Sequence, residues 1–163
     1  MPKKVFVSGC YDLLHSGHVE FFRQAAEYGD LYVGIGSDAT IQEYKHHKTV
    51  YSEQERLFMV KAIRYVKDAY INAGSGILDF LPTLDIVQPD ILVVNSDGGS
   101  PEKERVCRER GMEYVVLERV PQAGLAARSV LSPLELPIGV VTSLIGAVVF
   151  IAIFHRSRKG GVR

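Results

Sequence analysis

Five short apolar segments alternate with longer amphipathic stretches up to residue 117. The apolar segments cover residues 4–8, 31–36, 69–71, 91–94 and 114–117, and β-rich runs of this length bounded by turn residues predict buried strands. Helices are predicted after Gly17, after a Ser52–Glu55 capping box, over 78–87 and after Ser100-Pro101, with Gly111 closing the last. The capping-box helix should bury Leu57, Phe58, Val60 and Ile63, and residues 37–48 should form a polar loop.

This alternation predicts an α/β fold, a doubly wound parallel five-stranded sheet of the Rossmann-like kind. Such sheets bind ligands at the carboxyl ends of their strands, where the strand order reverses. The first strand-to-helix junction, residues 8–18, is therefore the predicted ligand site.

A second pattern begins after residue 135. Residues 136–154 are 19 residues without a charge, followed by His155 and a basic run. About 20 apolar residues span a bilayer, so a hydrophobic, transmembrane-like helix is predicted there. The chain thus divides into a domain over 1–129, a junction over 130–135, that helix, and a basic tail over 155–163.

Composition and charge exclude several classes of protein. The 19 basic and 19 acidic residues balance, and a body without basic excess argues against nucleic-acid binding. Cys10 and Cys107 form neither a disulfide framework nor a C-x-x-C pair, which favours a cytoplasmic domain. No cluster with metal-ligand spacing is evident.

The junction carries the groups that phosphate chemistry requires. Gly9 would let the backbone approach a phosphate closely, and a helix beginning near Gly17 offers free N–H groups to an anion. His15 and His18 add two imidazoles at that same end. A lone histidine would be a surface or core residue, but two that flank a glycine at such a turn favour a functional site.

Residues 9–18, Gly-Cys-Tyr-Asp-Leu-Leu-His-Ser-Gly-His, resemble the signature of the cytidylyltransferase-like nucleotidyltransferase superfamily. The resemblance covers residues 3–129 and includes Gly36-Ser37-Asp38, an S-x-x-E-R segment over 52–56 and Arg64-Tyr65-Val66. It implies an enzyme that transfers a nucleotidyl group from CTP or ATP to a phosphorylated sugar or alcohol and releases pyrophosphate, with Mg²⁺. The resemblance also leads us to expect a homodimer.

The resemblance further implies which residues form the site. The catalytic groups would be His15, His18 and Lys48, with Lys45 as the alternative to Lys48. Asp12 and Asp97 would orient lysine or Mg²⁺, or else only form turns, and Cys10 would be a small loop residue. The nucleotide would contact Ser8, Gly9, Cys10, Tyr11, Asp12, Gly17, Arg64, Asp97 and Arg119.

The chain departs from this family after Ser129. Family members continue with a Ser/Thr-rich turn that holds the triphosphate, whereas this chain continues Val130-Leu131-Ser132-Pro133. An alternative function is therefore a nucleotide-binding module with impaired catalysis. Residues 134–160 instead resemble the last helix of iron-siderophore and cobalamin ABC-transporter permeases. This tail is either a membrane anchor or, as we favour, the product of a junction between two unrelated reading frames.

Overall fold

The computed structural model describes residues 1–46 and 48–118. Its strands are β1 (Lys4–Gly9), β2 (Asp30–Ile35), β3 (Val66–Ile71), β4 (Ile91–Asn95) and β5 (Glu113–Leu117). Its helices are α1 (Ser16–Ala25), α2 (Asp38–Lys45), α3 (Glu53–Lys61), α4 (Leu81–Val87) and α5 (Pro101–Arg110), with single 3₁₀ turns at Ala26–Tyr28 and Gly76–Leu78.

The five strands form one parallel sheet in the order β3-β2-β1-β4-β5. The predicted doubly wound parallel sheet is therefore confirmed. The order reverses between β1 and β4, which places the switch point beside the end of β1.

Alternating side chains of the strands build a core on each face of the sheet. Val5 and Val7 of β1 face α1 and α3, where they pack with Phe22 and Val60. Phe6 points to the opposite face and packs with residues of α4 and α5 such as Leu84 and Val106. Because both faces are covered, the inner strands β2, β1 and β4 are largely apolar rather than alternating with polar residues, whereas the edge strand β3 carries Lys67 and Asp68.

Two predictions about helices were wrong. Residues 37–48 do not form a loop throughout, because Ser37 caps α2 by accepting a hydrogen bond from the Thr40 amide, and Ile41 is buried. Phe58 is 77% exposed. It lies about 200° around α3 from the buried Arg56, so it points away from the sheet.

Within residues 1–46 and 48–118, no helix has the length and apolar character needed to cross a bilayer. The hydrophobic helix predicted over 136–154 and the predicted basic tail lie outside the described residues, as does Arg119.

Candidate active site

The junction between β1 and α1 lies at the carboxyl edge of the sheet. β1 ends at Gly9 between β2 on one side and β4 on the other, and α1 begins at Ser16. The amino-terminal N–H groups of α1 therefore point to the edge at which the strand order reverses. This is the position predicted from the sequence.

His15 and His18 cap α1 with their imidazole rings. His15 is the N-cap residue, and its Nδ1 accepts a hydrogen bond from the Gly17 amide at 3.1 Å. His18, three residues on, returns the interaction: its Nδ1 accepts from the His15 amide at 3.4 Å. The two residues thus form a capping box in which imidazoles replace the usual hydroxyl and carboxylate groups.

These two bonds fix the protonation pattern of the neutral rings. Each Nδ1 accepts a backbone N–H, so it carries no proton, and the proton of each neutral imidazole is on Nε2. The rings stack with centroids 4.0 Å apart and planes 27° apart. The capping box therefore holds two stacked imidazoles, each with an Nε2–H, at the positive end of a helix.

Tyr11 supports this pair from the core. Tyr11 is 5% exposed. Its ring packs edge-on against the His18 ring with centroids 5.5 Å apart, and its centroid lies 5.0 Å from that of the Phe22 ring. The same ring explains Gly9, because a Cβ there would lie 2.9 Å from the Tyr11 ring. Burial raises the pKa of the Tyr11 hydroxyl far above its ordinary value. Packing thus accounts for both residues in this structure, and their contacts with the nucleotide stay predictions.

Asp12 ties the junction to the loop that carries Lys48. Its carboxylate accepts hydrogen bonds from the amides of Val50 at 2.9 Å, Tyr51 at 3.1 Å and Leu13 at 3.2 Å. Desolvation works to raise the pKa of Asp12, but these donors and the charge of Arg56 outweigh it and lower that pKa. Of its two predicted roles, the geometry favours the structural one, since both carboxylate oxygens bind backbone.

Arg56 joins three segments around the junction and is fully buried. Its guanidinium donates to the Cys10 carbonyl at 2.6 Å, the Asp38 carboxylate at 2.7 Å and the Tyr51 carbonyl at 3.2 Å. Desolvation alone would raise the pKa of Asp38, but the bond from Arg56 and the Glu53 amide lower it below its ordinary value. Arg56 therefore fixes the backbone just before the histidine pair.

The sequence motif contained Arg56, but its role there was not predicted. Arg56 and Val60 are four residues apart and both buried, so helical spacing could have placed the arginine inward. Charge argued against burial, because an arginine is almost never fully buried unless it is paired.

The remaining predicted residues divide between the two ends of the sheet. Ser8 and Asp97 lie at the carboxyl edge, Ser8 in β1 and Asp97 in the turn after β4. Lys48 is exposed, one residue before Thr49, whose hydroxyl donates to Asp38. Arg64 is not brought to the site: it is exposed, just before β3 begins, and so lies at the opposite, amino-terminal edge.

A family model described as Cytidylyltransferase-like matches residues 6–141. The chain belongs to this family. The match runs beyond Ser129, where the resemblance found in the sequence ends. Members of the cytidylyltransferase-like family use nucleoside triphosphates to modify small molecules, and the chain is accordingly a nucleotidyltransferase enzyme.

Relatives of the chain include two proteins named FAD synthase. The protein from Aciduliprofundum boonei is 37% identical over 117 residues, which are 70% of this chain and 76% of the relative. That from Methanobrevibacter smithii is 37% identical over 124 residues, 72% and 78% of the two chains. A third relative, the bifunctional protein HldE of Syntrophotalea carbinolica, is 39% identical over 95 residues, but these are only 19% of its length.

Solved structures share the fold. A lipopolysaccharide core biosynthesis protein from Thermoplasma volcanium superposes with a TM-score of 0.61 at 22% identity, covering 74% of this chain and 98% of that one. A pantoate-β-alanine ligase from Francisella tularensis superposes with a TM-score of 0.55 at 16% identity, covering 75% and 61%. At such identities the likeness concerns the fold alone.

Proposed function

We propose that this nucleotidyltransferase transfers the adenylyl group of ATP to the phosphate of a phosphorylated polyol or sugar. The support for ATP over CTP comes from the relatives named FAD synthase, since FAD contains an adenylyl group joined to riboflavin 5′-phosphate. Riboflavin 5′-phosphate is itself a phosphorylated polyol, so it is the first acceptor to test.

One observation carries the proposal: the stacked Nε2–H donors of His15 and His18 at the amino terminus of α1. A phosphate oxygen of the acceptor attacks the α-phosphorus of ATP, a phosphoanhydride bond forms, and the bond to the β-phosphate oxygen breaks to release pyrophosphate. Negative charge grows on the oxygens around the α-phosphorus and on the leaving pyrophosphate. Fixed donors that meet this charge lower the barrier without reorganising.

The chain's other residues hold this arrangement. Arg56 and Asp12 fasten the junction to the loop before α3, so that Lys48 is carried to the same edge and supplies a positive charge to the β- and γ-phosphates. No side-chain nucleophile is required, because the acceptor provides the attacking oxygen.

Mg²⁺ enters as part of the nucleotide substrate. The described part of the chain contains no group of three or more His, Cys, Asp and Glu side chains able to hold a metal ion. Mg²⁺ characteristically keeps several waters and binds substrate phosphates with few protein ligands. This donor set therefore suits an ion delivered on ATP.

Pyrophosphate release by the full chain tests the proposal. ATP or CTP would be mixed with riboflavin 5′-phosphate, glycerol 3-phosphate or glucose 1-phosphate in the presence of Mg²⁺, with reactions lacking acceptor as controls. We expect ATP-dependent release that requires an acceptor. Pyrophosphate release with CTP but not with ATP would refute the adenylyl assignment. Tight ATP binding without pyrophosphate release for any acceptor would support the alternative of a binding module.

A further inference from the structure

A second group of polar side chains is buried at the carboxyl edge of the sheet, on the face covered by α4 and α5. The proposed reaction leaves it without a role. We call it the Asp79 cluster, and its members are Ser8, Asn72, Asp79, Thr83 and Lys103. Asn72, Asp79 and Thr83 are each at most 8% exposed.

Hydrogen bonds hold the cluster in one arrangement. The Thr83 hydroxyl donates to Asn72 Oδ1 at 2.9 Å, and Asn72 Nδ2 donates to Ser8 Oγ at 3.0 Å and to Asp79 Oδ1 at 3.2 Å. Both N–H groups of the Asn72 amide are thereby used, and one of them orients the Asp79 carboxylate.

The cluster gathers the ends of several strands. Ser8 is near the end of β1, Asn72 follows β3, and Lys103 is in the first turn of α5, which follows β4. The second carboxylate oxygen of Asp79, Oδ2, lies close to Gly36, the residue after β2: a Cβ added to Gly36 would be 3.3 Å from this oxygen. Ser8 and Lys103 are half-buried, whereas Gly36 is buried, so Ser8 and Lys103 form the accessible rim.

The two charges of the cluster have separate partners. Lys103 Nζ donates to the Gly98 carbonyl at 2.8 Å rather than to the Asp79 carboxylate. Burial raises the pKa of Asp79 and lowers that of Lys103, although each charge partly offsets the effect on the other. Burying charged groups is costly.

We propose that the Asp79 cluster binds the uncharged, hydrogen-bonding part of the acceptor substrate. Asp79 accepts from a hydroxyl or ring N–H of the acceptor, and Lys103 donates to a neighbouring hydroxyl or carbonyl oxygen. A carboxylate beside an ammonium does not suit a phosphate. The cluster lies on the α4 and α5 face of the sheet, whereas Tyr11 and Phe22, which support the histidine pair, pack in the core on the α1 and α3 face.

This inference rests on the proposed function, so its test uses the acceptor that gives the fastest pyrophosphate release with the unmodified full chain. Asp79→Asn and Lys103→Met remove one charge each with little change in shape. Matched controls are Asp85→Asn, an exposed position in α4, the helix that follows Asp79, and Lys67→Met on the surface. For each variant, KM is measured for the acceptor and for ATP, together with kcat and the melting temperature.

We expect both cluster variants to raise the KM for the acceptor about 10- to 100-fold, the effect of leaving one buried partner unsatisfied. The KM for ATP should stay within about threefold, and the controls should match the unmodified chain. An unchanged KM for the acceptor in both variants would refute the inference. The proposed function would still stand in that case, provided that the variants turn over ATP. A lower melting temperature with both KM values unchanged would show a structural network only, and a rise confined to ATP would also overturn the inference.

Discussion

Replacing His15 with asparagine separates the two contributions of its imidazole. In the structure His15 both caps α1 through Nδ1 and carries an Nε2–H donor. Asparagine is among the best N-cap residues, so it restores the bond to the Gly17 amide but cannot supply a donor at the position of Nε2. Alanine removes both.

The expected losses of stability and of activity follow from the two roles of the imidazole. Loss of an N-cap side chain costs about 0.5–2 kcal/mol, which for a chain of this size lowers the melting temperature by about 2–6 °C. His15→Ala should show this loss, whereas His15→Asn should melt within about 1 °C of the unmodified chain. Both variants should lose about 10²–10³ in kcat, the effect of deleting one transition-state donor.

The same comparison applies to His18 at the N3 position. Glutamine is a normal N3 partner in a capping box, so His18→Gln should keep the reciprocal bond that His18→Ala loses. The stability difference between these two variants should be smaller than at His15, because the bond from the His15 amide to His18 is the longer one, 3.4 Å against 3.1 Å. Both variants should lose activity as the His15 variants do.

Circular dichroism at 222 nm during heating and pyrophosphate release give the two quantities. Recovery of activity to within threefold by His15→Asn and His18→Gln would mean that the imidazoles serve only as caps, and the proposed chemistry would be refuted. A melting temperature unaffected by His15→Ala would instead contradict the capping geometry.

Three further predictions concern stability. Arg56→Lys should lower the free energy of unfolding by about 2–4 kcal/mol in urea, because a lysine cannot reach the three partners of a buried guanidinium; an effect below about 0.5 kcal/mol would contradict this. Gly34→Ala should cost about 1–3 kcal/mol, since its Cβ would lie 2.5 Å from Asn72 Oδ1, whereas Gly98→Ala, with no atom nearer than 3.6 Å, is the control. Because the pKa of Asp12 is lowered on folding, its contribution is present above the unfolded value of about 3.9 and is lost as pH falls through the folded pKa. Asp12→Asn should therefore lower the urea midpoint at pH 7, and the difference from the unmodified chain should shrink as pH falls through the folded pKa; an equal loss at every pH would refute this assignment.

Local sequence patterns determined most of the secondary structure. Apolar runs gave the five strands, and caps such as Ser52 and Ser100 marked helix starts, because a side chain that bonds to an amide three residues away acts within one turn. The paired histidines are also a local feature of the sequence. Their spacing of three residues is that of a capping box, and both capping bonds lie within residues 15–18.

Tertiary structure decided where the distant polar residues meet. Arg56 reaches the Cys10 carbonyl across 46 residues, and Asn72 reaches Ser8 across 64. No local periodicity specifies such pairs, since each depends on which strands are neighbours and on which face a side chain emerges. Arg64 is distant from the site for the same reason. Its sequence motif is recognisable, but Arg64 precedes the start of β3 and therefore lies at the amino-terminal edge of the sheet. The sequence by itself thus determined the histidine pair and its junction, whereas only the folded sheet could bring Arg56 and the Asp79 cluster to that edge.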